Sequence, residues 1–253
     1  MTQATFDPSG YDIEYVTFAT ESGESYNSKT DWKLLRAKFE ISDPQLRKYE
    51  VMVPGRDGML DLSDALGGAY FGNRSVKVSF LCLNWLEERF HLLASTMRNA
   101  IDGKTCRIVL SSDSSYFWRG RPQVVAEWDG SGASSLTVEA EVEPFKYSIS
   151  SSYDPWVWDT FSFVNGVIVQ EADVTLNNQT KTVTLPADRA GGKPVLWLSN
   201  GSVQAKLSTQ QEWKSLESGR NTFPEITMDK EESVVLQLKG TGTVGIDYRL
   251  GSL

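Results

Sequence analysis

One histidine and two cysteines stand in a chain of 253 residues. So little imidazole and thiol leaves no spacing for the common zinc sites. The lone His91 has no orienting partner in any readable motif, so a Ser-His-Asp arrangement has nothing to rest on. It is read as a residue on the flank of a helix. GxxxxGK[ST], GxGxxG and GxSxG are all missing, which removes the usual phosphate cradles and the nucleophile elbow. Asp57, Asp61 and Asp64 cluster in GRDGMLDLSDALGG, but without the spacing of a calcium loop. No run of eighteen apolar residues occurs, so no membrane-spanning helix is expected. The first residues, MTQATFDPSGYDIEY, have neither the basic nor the apolar region of a signal peptide, which predicts synthesis and retention in the cytoplasm. Basic charge is also short: 25 Lys and Arg stand against 33 Asp and Glu, a net −8. That balance argues against a nucleic-acid-binding surface, which needs a basic stripe. The expectation is a protein with no catalytic residues, no metal, no cofactor and no membrane partner. Cys82 and Cys106 each lie in or beside an apolar run and are expected to be buried free thiols.

What is present is period-two alternation, the mark of half-buried strands. Ser75–Cys82 puts Val76, Val78, Phe80 and Cys82 on one face. Leu136–Val142 puts Leu136, Val138, Ala140 and Val142 inside, with Thr137, Glu139 and Glu141 outside. Val244, Ile246, Tyr248 and Leu250 repeat the pattern near the C-terminus. Shorter strands are expected at Ile13–Phe18, Leu35–Ile41, Cys106–Leu110, Gln123–Trp128, Val167–Leu176, Thr182–Leu185, Val195–Leu198, Val203–Leu207 and Val234–Leu238. Asn177-Asn178 and Asn200-Gly201 are read as tight turns, since these residues tolerate positive φ.

One stretch has a different period. Leu86, Phe90, Leu93, Met97 and Ile101 recur at helical steps, predicting a helix over about 85–102. Asn84 is placed as its N-cap, with Glu87 reaching back as in a capping box. Gly103 is placed at the left-handed position after the last turn. A boundary is expected near Lys146–Asp154, before the aromatic cluster Trp156, Trp158, Phe161 and Phe163. The expected fold class is mostly β: residues 1–148 as a β-sandwich or split barrel with one helix, and 149–253 as a jelly-roll-like sandwich.

Three further stretches stand out. VPGRDGMLDLSDALGG (Val53–Gly68), followed by FGNRSVKVSF (Phe71–Phe80), places Arg56 and Asp57 at the tip of a tight excursion. YFWRGRPQV (Tyr116–Val124) carries Gly120 between two arginines, where a strand is expected to bend or bulge. EPFKY (Glu143–Tyr147) ends a strand. In this order, with the helix and its Gly103-Lys104 end between them, these stretches resemble the distal tail protein family of long, non-contractile-tailed bacteriophages. The matching residues are Pro54 to Gly58, Leu60 to Leu62, Arg74 to Phe80, Leu86 to Lys104, Tyr116 to Arg121 and Pro144 to Tyr147. The end of the chain, Gly242–Leu253, looks like that family's final strand.

The resemblance implies a virion tail component, the baseplate or tail-tip hub subunit, made in the host bacterial cytoplasm. It implies a homo-hexamer, as one ring or two stacked, whose N-terminal domain forms the ring and whose galectin-like sandwich lies outside. The ring's partners are then the tail tube protein on one side and a tail-associated hub or fibre protein on the other. DNA passes through the lumen without specific binding. The lumen is expected to be lined by acidic side chains. Ring closure needs two different complementary patches on each subunit, for which Arg56, Asp57, Arg119 and Arg121 are candidates. The alternative is a carbohydrate-binding module of a host-adsorption device. Under that reading Trp213, in the polar QQEWKS, is the expected exposed stacking residue. Trp156, Trp158 and Trp197, in apolar runs, are expected in the core.

Overall fold

The computed structural model of the protein describes residues 14–34, 36–63, 65, 70–83, 85–130, 133–152 and 173–253. The aromatic cluster at 156–163 and the expected cap Asn84 lie outside these residues, as do Asp64 and the strand starts at Ile13 and Val167. The chain is mostly β with one α-helix among the described residues, the class its periodicities predicted. It divides into an N-terminal unit ending at Lys146 and a C-terminal unit, Tyr147–Ser252.

The N-terminal unit contains β1 (Val16–Thr20), β2 (Ser25–Asn27), β3 (Arg36–Ile41), β4 (Leu46–Arg47), β5 (Glu50–Met52), β6 (Met59–Asp61), β7 (Tyr70–Phe71) and β8 (Arg74–Leu83). After α1 (Glu87–Ile101) come β9 (Cys106–Leu110), β10 (Tyr116–Glu127) and β11 (Ala133–Val142), and β12 (Lys146–Ser148) stands at the junction. Its main sheet runs β2-β1-β9-β10-β11-β8-β3. Alternation buries one side of each strand: Val76, Val78, Phe80 and Cys82 of β8 face the core with Leu136, Val138, Ala140 and Val142 of β11. Each fully buried aliphatic or aromatic side chain stabilises this face by roughly 1.5–3 kcal/mol. Thr137 is an exception to the outward reading. It is buried, and its hydroxyl meets Ser79 Oγ across the strands at 3.2 Å.

The helix covers this core with Phe90, Ala94, Met97, Ala100 and Ile101, while Leu93 is partly buried. Its start differs from the sequence reading. Leu86 is the N-cap residue, extended, with no side-chain cap bond, and it is 76% exposed. A residue with non-helical dihedrals at the cap leaves the apolar stripe, so Leu86 does not continue the face that Phe90 begins. Glu87 and Glu88 instead put carboxylates in the first turn, where the helix dipole favours them. The far end ends as expected, with Gly103 at φ 71°.

β10 exchanges partners along its length. Phe117 to Gly120 pair with β9, and Gly120 to Glu127 pair with β11. The register is unbroken at Gly120, so the strand carries no bulge there. A Cβ there would lie 2.3 Å from Glu141 O and 2.9 Å from Val142 Cα, so only glycine lets the neighbouring strand come this close. Beyond Gly120 the edge of β10 is covered by the helix end. Arg98 Nε donates to Val124 O at 3.3 Å, Val124 N donates to Asp102 Oδ1 at 2.8 Å, and Gly103 N donates to Pro122 O at 3.4 Å. An otherwise open sheet edge is closed this way. Cys82 and Cys106 are free and buried, and burial raises both thiol pKa values above the ordinary value.

The C-terminal unit contains β13 (Asp173–Leu185), β14 (Val195–Leu207), β15 (Lys214–Ser215), β16 (Gly219–Asn221), β17 (Val234–Asp247) and β18 (Gly251–Ser252). Its described sheet runs β13-β17-β14-β15, with β16 also on β14. Three pairs of segments read as separate short strands are continuous here, and the expected turns fall inside them. Asn178, at φ 51°, sits at a register shift between Asn177 and Gln179, and its N–H donates to Thr241 Oγ1 at 3.1 Å. Asn200-Gly201 follows a shift between Leu198 and Asn200, where Asn200 Oδ1 accepts the Thr243 N–H at 3.1 Å. Positive φ is present, as Asn and Gly predicted, but it serves bulges and not hairpin turns. Both bulges lie opposite Gly240–Val244 of β17, which itself carries no register shift. Gly201, at φ 86°, would bring a Cβ to 2.0 Å from Thr241 O. Asp188, buried, ties a loop to the last strand: its carboxylate accepts N–H bonds from Gly192 at 2.7 Å and Gly251 at 2.9 Å.

Candidate assembly surface

Between β3 and β8 the chain leaves the sheet as an arm. β4 pairs with β7 near its base and β5 with β6 farther out, and Gly55 and Gly58 turn the tip at positive φ. Few of the described side chains on the arm find a core. Leu46, Tyr49, Val51, Met52, Met59 and Tyr70 are all exposed, Met52 at 76%. An isolated two-stranded ladder is marginal in water. A contiguous set of exposed apolar side chains marks an interaction surface. Arg56 and Asp57 lie exposed at the tip, where the sequence placed them.

The arm's base is fixed by residues from all three unusual stretches. Arg74, its side chain 10% exposed, donates from Nε to Ser42 O at 2.8 Å and from Nη1 to Pro144 O at 3.3 Å. Its guanidinium lies 4.8 Å from the centre of the Trp118 ring. Phe71 meets Phe145 edge-on at 6.1 Å. Lys146 pairs with Asp113 at 2.7 Å and sits 4.4 Å from the Tyr116 ring. FGNRSV, YFWRGR and EPFKY are therefore mutual partners in space. Sequence reasoning set the three side by side but did not single out Arg74. Their non-local pairing is the signal that was missing. Arg74→Lys is expected to destabilise the unit by about 1.5–3 kcal/mol, because an ammonium cannot bond two carbonyls in a plane while stacking on indole. Urea denaturation of the variant checks this; a loss under about 0.5 kcal/mol would show that the fork is dispensable.

Arg119 and Arg121 flank an open groove together with Asn73, Thr105, Glu141 and Glu143. Both arginines have partners within the unit. Arg119 bonds Glu21 at 2.5 Å and Glu143 at 3.3 Å, and Arg121 donates to Gly103 O at 2.6 Å. The Arg119 hydrogen bond, then its charge, lowers the Glu21 carboxyl below its ordinary pKa. The same bond raises Arg119. These side chains are half-exposed, so the pairs contribute little to stability.

The tryptophans depart from expectation. Trp213 is half-buried, with Lys206 Nζ 5.0 Å and Lys239 Nζ 5.9 Å from its ring centre, so ammonium groups attend the proposed stacking face. Trp197, expected in the core, is 40% exposed, because its strand alternates and the core side is taken by Leu196 and Leu198. His91 is exposed on α1 beside Glu87, at 3.7 Å. Among the described residues no group of three His, Cys, Asp or Glu gathers as a metal site would need. No described helix is long and apolar enough to cross a membrane.

These features define a class: a mostly β protein of two units with one α-helix, a projecting arm and no metal-type side-chain cluster among the described residues. No family model matches the sequence, and no curated protein matches it. Among solved structures it is similar to the crystal structure of the SPP1 Dit protein, described as a paradigm of the hub adsorption apparatus in phages infecting Gram-positive bacteria. The TM-score is 0.54 at 13% identity, over 94% of this chain and 99% of that one. At that identity the likeness is one of fold.

Proposed function

We propose that the protein is a structural, non-enzymatic subunit of a phage tail hub, a distal tail protein. Copies close into a hexameric ring, single or stacked in two, between the tail tube protein and a hub or fibre protein. DNA passes through the lumen without specific binding. The N-terminal unit forms the ring and the C-terminal unit lies at its periphery. The observation that carries this reading is the end-to-end likeness of fold to a phage hub adsorption protein. The arm supports it independently. A ring of identical subunits needs a heterologous interface with two unlike patches. A projecting apolar ladder tipped by Arg56 and Asp57 suits one patch, and the groove flanked by Arg119 and Arg121 suits the other.

Light scattering behind a sizing column, over a range of concentrations, tests this. The expected mass is about six subunits or twice that. Met52→Asp combined with Met59→Asp is expected to give monomers with an unchanged melting temperature, since both side chains are exposed. A wild-type protein that stays monomeric even with purified tail tube protein added would sink the reading.

A further inference from the structure

We propose that the tip of one subunit's arm docks in the groove of a second copy through two crossed ion pairs, Asp57 with Arg121 and Arg56 with Glu141. This rests on the ring reading and assigns its contacts. Arg121 on β10 stands directly opposite Glu141 on β11. Residues so placed have Cβ atoms about 5 Å apart, and opposite charges there ordinarily pair. These two bond neutral groups instead. Arg121 Nη1 donates to Gly103 O at 2.6 Å, and Glu141 Oε1 accepts from Asn73 Nδ2 at 2.8 Å. Both are exposed, and neither has an ion-pair partner among the described residues. Arg119 differs, since Glu21 and Glu143 already neutralise it. The groove that Arg121 and Glu141 line has a volume of about 390 Å³, the size of a small-ligand site.

The tip carries the complementary charges. Arg56 and Asp57 are exposed neighbours, again with no ion-pair partner among the described residues. Gly55 and Gly58 bracket them at positive φ, and nothing lies within 4 Å of the position a Cβ would take at either. The two charges therefore stand on a narrow turn with open space beside it. A groove offering both a cation and an anion takes such a tip in one orientation. A purely acidic segment would leave Glu141 facing a like charge, and a purely basic one would do the same to Arg121. Asn73, which also lines the groove, follows β7 at the base of the arm, whereas the tip lies beyond the β5–β6 ladder. A second copy therefore supplies the tip, as a heterologous contact requires. Exposed ion pairs add little energy, so the charges set register and orientation while the apolar ladder supplies buried area.

Charge reversal in the full chain tests the contact, with mass read by light scattering over a concentration series. Purified tail tube protein is added if the wild type closes only on it. Asp57→Arg and Arg121→Asp are each expected to raise the concentration for half-assembly by about tenfold or more, because each sets like charges together. The double variant is expected to recover wild-type assembly, since the pair is then reversed and not broken. Arg56→Glu and Glu141→Arg are expected to behave alike: each alone weakens the ring, and together they restore it. Melting temperatures are read alongside. The tip variants lose no partner within the subunit, and should Arg121→Asp unfold, the Arg56→Glu and Glu141→Arg series carries the test. If the single reversals assemble as the wild type does, or if neither double variant recovers, the proposal is overturned and the ring reading stands. A wild type that forms no ring, with or without tail tube protein, brings both down.

Discussion

Gly120→Val is expected to destabilise the N-terminal unit by about 3 kcal/mol or more, at the upper end of what overpacking costs. The reason lies in the exchange of partners within β10. At Gly120 the strand is paired with Cys106 on one side and Val142 on the other. A Cβ would stand 2.3 Å from a backbone carbonyl and 2.7 Å from Val142 Cγ1. Side chains yield cheaply, but the Glu141–Val142 backbone is held by its own pairing to β8 and has little room to move. The strain therefore spreads into two ladders at once. Gly130→Ala is the control, because nothing lies within 4 Å of the position a Cβ would take there, and it is expected to stay within about 0.5 kcal/mol of wild type. Urea denaturation of both full-length variants gives the comparison. If Gly120→Val unfolds at the wild-type midpoint, the close approach of the neighbouring strand is not what the glycine is for.

Phe90→Ala is expected to cost about 3–5 kcal/mol, the range for deleting a fully buried aromatic side chain. Phe90 is the first core residue of α1, at 0% exposure, with its ring 5.2 Å from that of Trp128. The helix has no side-chain N-cap, so its first turn is held by this packing and by the carboxylates of Glu87 and Glu88. The last turn is held differently, by the bonds of Arg98, Asp102 and Gly103 to β10. Removing the Phe90 ring should therefore loosen the N-terminal turns before the C-terminal ones. Hydrogen exchange is expected to show lost protection at residues 90–93 and retained protection near Arg98–Ile101. Leu92→Ala, on the solvent side at 70% exposure, is expected to be nearly neutral. Equal effects of the two substitutions would mean that the helix is not anchored through Phe90.

Much of this architecture was legible in the chain because strand and helix signals are local. Alternation named the buried faces of β8 and β11 residue by residue, and helical spacing found α1 with its Gly103 end. Scarcity of histidine and cysteine set the expectation of a protein without a metal site or a triad. Residue chemistry also marked Asn178 and Gly201 as positions of positive φ. Tertiary structure decided what those positions do. They lie at or beside bulges in β13 and β14, which face each other across β17 because that strand pairs with both. Arg74 gained its place because Ser42, Trp118 and Pro144, far apart in sequence, converge on it. Trp197 faces outward because its strand alternates and its neighbours fill the core, which apolar content alone does not reveal. Local periodicity fixes which side of an element is buried; only the pairing of distant strands determines which residues meet there, and which are left facing outward.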